Sequence, residues 1–410
     1  MILSRAEEAM LAGAEGEARK LAMEILVKVG DKLGAQRLVP VSSAHIVLAM
    51  YKSIYEAGVE VCEKFAAMGA RFKVPTTLDP SGMDTQDWRA FKTPEPYAEK
   101  QLRVKKAYEQ MGAIMSWTCL PHFTGNAPRF GEHVGWTESS AVAFINSVLG
   151  ARSNRETAVL DVCIGLTGRT PEYGLHLDEN RLGTVLVEMK IGGRELEGWE
   201  YPVLGYFLGK SLGGDIGVVD GFAGAPRMDQ LKSMLAAAAA SGPLALVHIV
   251  GITPEARTRA EAFGAKSPTR TITVTEETLK LTRAEMCTVK NGKVDLVAVG
   301  CPHYSIVEVQ EVIRLLANRK VAAGTEFWIY TTKQVRDLAE RMGCYAELSA
   351  LGVKIATETC MLISPVETWG FKTLMTDSGK CAYYAPMQCK TDVIFGSTAD
   401  CVEAAVRGKV

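Results

Sequence analysis

The sequence predicts an α/β protein of several domains, and three patterns in it support that prediction. Short apolar segments alternate with segments of helical periodicity, which is the order expected of strands and helices in one chain. Several of the apolar segments are hydrophobic on both faces, as parallel strands covered by helices are. The same segments end in Ser, Thr, Asp or Cys. Ligands of parallel sheets bind at the carboxyl ends of the strands, so we expect the functional side chains there.

The first element is predicted to be a long helix. Ser4 and Glu7 have the spacing of a capping box. Apolar residues then recur at helical spacing from Met10 to Val29, and Gly30 follows as a C-terminal cap. We therefore expect one helix from Ser4 to Gly30.

Alternating strands and helices are expected along most of the remaining chain. The strands are predicted within residues 37–48, 71–84, 244–250, 295–300, 326–330 and 352–356, and the helices over 57–68, 306–317 and 334–342.

The middle of the chain has a different composition. Residues 184–208 read as alternating strands and turns, and residues 205–224 are dense in glycine. A domain change is expected near 200–230, so we divide the chain into a first α/β region, 1–210, and a second, 211–410.

Composition and charge exclude several classes of protein. The chain has 46 basic and 47 acidic side chains, a formal net charge of -1, without the basic excess that phosphate contacts require. Its N-terminus lacks a signal-peptide pattern, and no apolar run reaches the ~18 residues of a spanning helix. We expect a cytoplasmic protein that binds neither nucleic acid nor membrane.

Three of the ten cysteines stand where predicted strands end: Cys119, Cys301 and Cys360. Cys301 is expected to begin a loop before a helix, where the helix dipole favours a thiolate. Three converging thiolates can hold an iron–sulfur cluster and leave one iron open to act as a Lewis acid. The alternatives are a structural zinc site that uses Cys301 and His303, and buried thiols that serve only packing.

A polar segment over residues 125–156 is predicted to bind anions. It contains the start of a helix, where free N–H groups favour negative charge, and guanidinium groups suited to carboxylate or phosphate. The alternative is a capped surface helix with a solvated basic end. The residues predicted to contact a substrate are Asn126, Ser140, Asn146, Arg152, Asn154 and Arg155.

Candidates for acid–base chemistry lie in or beside this segment. We select His122, Glu138 and Ser139 as catalytic. His122, Glu132 and His133 all rank below the cysteines, because a single histidine usually has a structural role.

Together these segments resemble the aconitase X family. The resemblance extends over nearly the whole chain and rests on motifs such as PVSSAH, TTLDPSG, GEHVGWTESSAV, NSVLGARSNRE, GCPHYS, TETCM and FGSTADC. It implies a multi-domain, aconitase-like α/β large subunit that holds an iron–sulfur cluster through Cys119, Cys301 and Cys360. It also implies a small swivelling domain. Because the chain ends soon after FGSTADC, we expect that domain to be a separate subunit.

The resemblance further implies dehydration of a small anionic β-hydroxy acid. Mevalonate 5-phosphate and cis-3-hydroxy-L-proline are the expected substrates; TESSAV and NSVLGARSNRE favour the first, whereas GRTPEYGLH fits the second equally. The CxxC pair of ordinary aconitases is absent, which leaves cluster nuclearity open, with [4Fe–4S] or [3Fe–4S] favoured. An alternative of another class is a non-catalytic, metal-containing sensor or binding protein.

Overall fold

The computed structural model describes residues 1–264 and 266–410, which form two compact units. Unit 1 consists of Met1–Ser81, Pro94–Gly183 and Ala245–Lys266, and unit 2 consists of Gly82–Thr93, Thr184–Leu244 and Ser267–Val410. Each unit is assembled from three separate stretches of chain. The predicted division of the chain between residues 210 and 211 therefore does not match the two units.

The strands of the described residues are mostly short. In chain order they are β1 (Leu38–Pro40), β2 (Ala44–Ile46), β3 (Thr76–Leu78), β4 (Gly135–Trp136), β5 (Arg169–Pro171), β6 (Val185–Lys190), β7 (Gly217–Asp220), β8 (Val247–Ile249), β9 (Arg270–Thr275), β10 (Leu296–Tyr304), β11 (Glu326–Thr331), β12 (Val353–Thr357), β13 (Thr373–Thr376) and β14 (Asp392–Phe395).

The helices alternate with these strands. In chain order they are α1 (Arg5–Leu11), α2 (Glu17–Lys32), α3 (Tyr51–Ala67), α4 (Glu95–Met111), α5 (Ser139–Phe144), α6 (Ala158–Thr167), α7 (Glu200–Leu212), α8 (Met228–Ser241), α9 (Arg259–Phe263), α10 (Glu276–Glu285), α11 (Ile306–Leu316), α12 (Lys333–Arg341), α13 (Cys344–Ala350), α14 (Gly379–Gln388) and α15 (Thr398–Arg407). A π-helical turn over Ile145–Leu149 continues α5.

Unit 1 is built on a parallel sheet in the order β3-β2-β4, beside an antiparallel pair of β1 and β5. In the register of the sheet, Ala44 lies opposite both Thr76 and Gly135. The next residue of each strand is His45, Thr77 or Trp136, so these three side chains share one level of the sheet. Apolar residues of α2, α3, α4 and α6 form the buried core of this unit.

Unit 2 contains a parallel sheet in the order β12-β11-β10-β13-β14, with parallel strands β7-β6-β9 elsewhere in the unit. All nine residues of β10 are buried. Helices α11, α13 and α15 contribute the apolar residues that pack on this sheet. The α/β fold class predicted from the sequence is therefore observed, and β10 and β12 are the strands that lead to two of the selected cysteines.

The predicted first helix is divided into two. Ser4 and Glu7 do form a capping box, but α1 ends at Leu11 and α2 begins at Glu17. Gly13 and Gly16 between them have φ angles of 90° and 95°, a left-handed conformation that interrupts a helix. The prediction of one continuous helix was wrong because apolar spacing continues through the break.

The prediction of strands and turns over 184–208 was also partly wrong. Residues 185–190 form β6, but Glu200–Leu212 form helix α7. The glycines of this helix do not mark turns. Gly205 and Gly209 instead lie against the backbone of α8, where a Cβ atom on Gly205 would stand 1.9 Å from the carbonyl oxygen of Met234. The high glycine content of this segment is thus explained by the close packing of α7 on α8, and not by the turns that the sequence suggested.

Among residues 1–264 and 266–410, no helix combines the length and the apolar composition needed to cross a membrane.

Candidate active site

Cys301 and Cys360 form a thiol pair in unit 2. Cys360 lies in the loop after β12, and Cys301 lies within β10 at a bulge, where the pairing of β10 with β11 shifts between Val299 and Tyr304. Gly300 has a φ of 95° and permits this bulge, because a Cβ there would stand 2.0 Å from the carbonyl oxygen of Tyr330. The two thiols are hydrogen-bonded to each other.

The predicted environment of Cys301 needs correction. The residue does not begin a loop before a helix: it is buried in β10, and its hydrogen bond to Cys360, together with burial, raises the pKa of its thiol well above the ordinary value. The same hydrogen bond lowers the pKa of Cys360 against the effect of burial, and the backbone N–H groups of Ile363 and Leu362 and the charge of Lys380 lower it further. Cys360 is therefore the more acidic thiol of the pair.

Hydrogen bonds fix the two segments that carry these thiols. His303, two residues after Cys301, donates from Nε2 to the carbonyl oxygen of Thr359 at 2.8 Å, and the Ser378 hydroxyl donates to the Cys301 carbonyl. Burial lowers the pKa of His303 to about 4, so the ring is neutral. His303 thus links β10 to the loop after β12. This is a structural role, whereas the zinc alternative made the same ring a metal ligand.

A cavity of about 590 Å³ in unit 2 is lined by Cys301 and by a cluster of buried charges. The ammonium group of Lys232 donates to the His303 carbonyl oxygen at 3.1 Å and to Asp229 at 3.2 Å, and it pairs with Glu308. Burial raises the pKa of Glu308 to about 7, although Lys232 opposes the shift. Sequence reasoning missed this cluster because Lys232 lies 71–76 residues from His303 and Glu308.

Cys119 belongs to unit 1. It lies in the loop after α4, and the N–H group of the preceding Thr118 donates to the carbonyl oxygen of Leu78 at 3.0 Å. Cys119 is 8% exposed and is thus held beside the carboxyl end of β3, although its own segment forms no strand. In neither unit do the described residues bring three or more His, Cys, Asp or Glu side chains into a group arranged to hold a metal ion.

The selected catalytic residues of unit 1 have different surroundings. Glu138 is the N-cap of α5: its Oε2 accepts from the N–H of Ala141 at 2.8 Å, and its Oε1 accepts from the Ser140 hydroxyl at 3.3 Å. Ser139 is half-buried in the first turn of the same helix. The His122 ring stacks on Phe144, with 4.4 Å between ring centroids. The Ser140 and Glu138 side chains are therefore used in capping the helix.

Three of the residues predicted to bind an anion are instead used inside unit 1. Arg152 donates to Asp178 at 2.8 Å. Asn146 is fully buried and donates to the carbonyl oxygens of Ser153 and Ala245 at 2.8 and 3.0 Å.

Asn154 shows the same pattern. Its amide donates to the carbonyl oxygen of Tyr173 at 3.1 Å and accepts from the N–H of Leu175 at 2.8 Å. Arg155 is half-buried. Asn126, another of the predicted substrate contacts, lines a cavity.

That cavity has a volume of about 450 Å³ and lies wholly in unit 1. The amide of Asn126 donates to the Thr77 hydroxyl at 2.9 Å and to the Ala44 carbonyl oxygen at 3.4 Å. Sequence reasoning did not select most of its polar lining. Those residues are Ser42, Ser43, Thr77, Thr124 and Arg129.

Glu132 also lines this cavity, and its Oε2 accepts from the N–H of Arg129 at 3.0 Å and from the Ser42 hydroxyl at 3.3 Å. His133 forms a hydrogen bond between its Nδ1 and Nδ1 of His176 at 2.9 Å, and burial together with His176 lowers its pKa. The structure thus places Glu132 in the cavity wall, whereas His133 pairs with another histidine.

Comparison with known proteins places these features in a family. The family models for the aconitase X first, second and third domains match residues 1–179, 183–284 and 294–407. The three models together account for most of the chain.

Two curated relatives have similar lengths. The phosphomevalonate dehydratase large subunit of Methanocaldococcus jannaschii is 40% identical over 100% of both chains, and that of Methanothermobacter thermautotrophicus is 40% identical over 96% of both. The cis-3-hydroxy-L-proline dehydratase of Pseudomonas aeruginosa is also 40% identical, over 98% of this chain and 70% of that protein. Dehydratases are hydro-lyases, so the predicted enzyme class is confirmed.

A solved structure agrees with the fold. The crystal structure of Thermococcus kodakaraensis aconitase X in its holo-form has a TM-score of 0.90 and 36% sequence identity, and the match covers 99% of this chain and 100% of that one. The predicted aconitase-like α/β fold is thereby confirmed. The chain belongs to the aconitase X family.

Proposed function

We propose that this chain is the large, catalytic subunit of an iron–sulfur hydro-lyase that dehydrates mevalonate 5-phosphate to anhydromevalonate phosphate. The observation that carries the proposal is the buried pair of Cys301, within β10, and Cys360, in the loop after β12, in which Cys360 is the more acidic thiol. Thiolates are the protein ligands that iron–sulfur clusters use. A pair held by hydrogen bonds on both segments fits that group.

Cys119, Cys301 and Cys360 would hold the cluster. A [4Fe–4S] cluster held by three thiolates would have one iron without a protein ligand, and that iron would supply Lewis-acid chemistry at the departing hydroxyl group. The residues of the chain bind and orient the acid, which removes much of the entropic cost of reaction. Within the chain, His122, Glu138 and Ser139 stay the candidates for proton transfer, and the small subunit is the alternative source of the base.

The substrate is proposed from the relatives and from the chemistry of the two acids. Mevalonate 5-phosphate carries a carboxylate and a phosphate, and Arg129 and Arg155 are cationic side chains that are at least partly accessible in unit 1. The second candidate is cis-3-hydroxy-L-proline, because the Pseudomonas aeruginosa relative is as similar to this chain as the archaeal ones.

A separate small subunit is proposed as the partner. The relatives of matching length are named large subunits. The hydroxyproline dehydratase of Pseudomonas aeruginosa extends beyond this chain, which covers 70% of it. We propose that the missing portion corresponds to the swivelling domain and that this protein receives it from another chain, in the cytoplasm.

The cluster assignment is tested by Cys119→Ser, Cys301→Ser and Cys360→Ser, with Cys287→Ser as the control. The wild-type protein, purified anaerobically, should contain iron and acid-labile sulfide, and each of the three variants should lose most of both. Changes to residues that only support metal ligands cost about 10–100-fold in activity, so loss of a ligand should lower kcat of the two-subunit enzyme by more than about 100-fold. The half-buried Cys287 should be dispensable.

Iron and sulfide that persist in all three serine variants would refute the ligand assignment. If the enzyme dehydrates cis-3-hydroxy-L-proline but not mevalonate 5-phosphate, the hydro-lyase assignment stands and the proposed substrate is wrong.

A further inference from the structure

A chain of hydrogen bonds in unit 1 connects the buried ring of His45 to the wall of the 450 Å³ cavity, and the carboxylate of Asp79 faces that ring. Nε2 of His45 lies 3.5 Å from Oδ1 of Asp79, and Nδ1 of His45 lies 2.9 Å from the Thr77 hydroxyl oxygen. The Thr77 oxygen accepts from the amide of Asn126 at 2.9 Å. His45, Thr77 and Asp79 are 0, 2 and 5% exposed, so water does not compete for these contacts.

Parallel pairing of β2 and β3 creates this arrangement. His45 and Thr77 are register partners in adjacent strands, and Asp79 follows two residues after Thr77, just beyond the end of β3. Side chains two residues apart point to the same side of a strand. The chain of hydrogen bonds thus lies at the carboxyl end of the sheet, where parallel sheets bind ligands.

Each hydrogen bond has a defined direction. A backbone carbonyl only accepts, so the atom of Asn126 that faces the Ala44 carbonyl oxygen must be the amide nitrogen. A carboxylate attracts an N–H group, so we place the ring proton of His45 on Nε2, which lies 3.5 Å from Asp79, and Nδ1 is then the acceptor. The Thr77 hydroxyl then donates to His45, which is nearer than the competing Ala44 carbonyl oxygen at 3.3 Å.

This direction determines what Asn126 offers to the cavity. Both N–H groups of its amide point inward, one to Thr77 and one to Ala44. The amide oxygen Oδ1 is therefore the atom left for a ligand. An amide oxygen carries partial negative charge and accepts hydrogen bonds, so it attracts a hydroxyl group and repels a carboxylate or phosphate. The anion contact predicted for Asn126 from the sequence does not fit this orientation.

We propose that Asn126 is a specificity-determining residue that accepts a hydrogen bond from the substrate hydroxyl group, and that Thr77, His45 and Asp79 are positioning residues that fix its amide. This inference rests on the proposed dehydratase function, since it names the part of the hydroxy acid that this cavity recognises. Anion binding at the same cavity belongs to Arg129, a lining residue with an exposed side chain.

The first experiment compares the substrate with an analogue that lacks the hydroxyl group. For the two-subunit enzyme, kcat/KM is measured with mevalonate 5-phosphate, and Ki is measured with 3-methyl-5-phosphooxypentanoate. Asn126→Leu should lower kcat/KM by about 10-fold or more, the worth of one hydrogen bond of roughly 1.4 kcal/mol, and change Ki less than about 2-fold. The control Asn180→Leu, at an exposed asparagine of unit 1, should change neither.

An equal loss in kcat/KM and in affinity for the deoxy analogue would overturn the proposal, because Asn126 would then support the cavity without recognising the hydroxyl. If the enzyme dehydrates only cis-3-hydroxy-L-proline, the same comparison is made with L-proline as the deoxy compound. Failure of the substrate assignment is thus distinguished from failure of the hydroxyl contact.

The positioning residues are tested with a pair of substitutions at Thr77. Thr77→Val removes the hydroxyl that orients Asn126 and should lower kcat/KM by about 10-fold with little change in Ki. Thr77→Ser keeps the hydroxyl and should restore kcat/KM to within about 2-fold of the wild-type value. A purely structural role predicts that Ki rises with Thr77→Val, which would refute the positioning role.

A measurement independent of turnover tests the direction of the hydrogen bonds. In protein labelled with ¹⁵N-histidine, the ring of His45 should be the Nε2–H tautomer, and its signals are assigned among the six histidines by their loss in His45→Gln. A proton on Nδ1 would overturn the roles of His45 and Asp79, because Thr77 would then accept from the ring.

Discussion

Individual polar side chains of unit 1 divide into those that bind one another and those that line its cavity. Arg152 and Arg181 are both buried, and both contact the carboxylate of Glu255. The Oε1 atom of Glu255 accepts from Arg181 at 3.0 Å and lies 3.2 Å from the guanidinium group of Arg152. Arg181 also donates to the carbonyl oxygen of Asn146 at 3.1 Å. These guanidinium groups stabilise the fold, and the cavity is left to Asn126 and Arg129.

Glu255→Ala should destabilise the protein strongly. The substitution leaves two buried guanidinium groups without their shared carboxylate, and removal of one partner from a buried ion pair costs about 3–5 kcal/mol. The matched control is Glu261→Ala, which breaks a pair with Arg257, whose side chain is 81% exposed, and should cost less than about 1 kcal/mol. Urea unfolding followed by tryptophan fluorescence measures both. Equal costs for the two variants would contradict this account of Glu255.

Sequence reasoning selected Arg152 because a guanidinium group beside a glycine break suits an anionic ligand. It could not foresee that protein carboxylates satisfy the group, since Asp178 and Glu255 are distant in sequence. Thr77 and His45 were missed for a related reason. Each lies in the middle of a short buried strand, and the hydrogen bond between them depends on the register of the two strands. By contrast, the three cysteines were selected because the order of their segments along the chain matches the family.

At the level of secondary structure, local signals located some helices closely and missed others. The capping box at Ser4 is present in the structure, and α11 and α12 begin and end within one residue of their predicted bounds, whereas α3 begins six residues before its predicted start. Helix α7 was not predicted, because glycine has a low intrinsic helix propensity. Its glycines are required by the packing of α7 on α8, a tertiary contact that periodicity does not contain.

Gly205→Ala should destabilise unit 2 although alanine is the better helix former by about 1 kcal/mol. The new Cβ would stand 1.9 Å from the Met234 carbonyl oxygen, so α7 and α8 must separate, and overpacking of this kind costs about 1–3 kcal/mol beyond the gain in propensity. Gly198→Ala is the control, since no atom lies within 4 Å of its Cβ position. Thermal unfolding compares the two, and a Gly205→Ala variant at least as stable as wild type would disprove the close approach.

At the scale of the whole molecule, the order of elements does not follow the order of units. Residues 245–264 and 266 belong to unit 1, although they follow α7 and α8 of unit 2. The glycine-rich composition of residues 200–230 suggested a domain boundary there. The glycines instead allow α7 to pack closely on α8, and the whole segment belongs to unit 2. The alternation of strands and helices was sufficient to predict the fold class. The return of the chain to unit 1 could not be predicted in this way, because it depends on long-range contacts such as the hydrogen bond from the N–H of Val247 to the hydroxyl oxygen of Ser147.

The proposed two-subunit organisation predicts how activity depends on concentration. If a separate small subunit completes the active site, the large subunit alone should contain the cluster yet show no dehydration of mevalonate 5-phosphate. Titration with the small subunit should raise the activity until the ratio reaches one to one. Dilution of the complex below its dissociation constant should lower the specific activity, since only the associated fraction is complete. Analytical ultracentrifugation at the same concentrations measures that fraction. Full specific activity of the large subunit alone, independent of dilution, would show that this chain contains the whole catalytic apparatus.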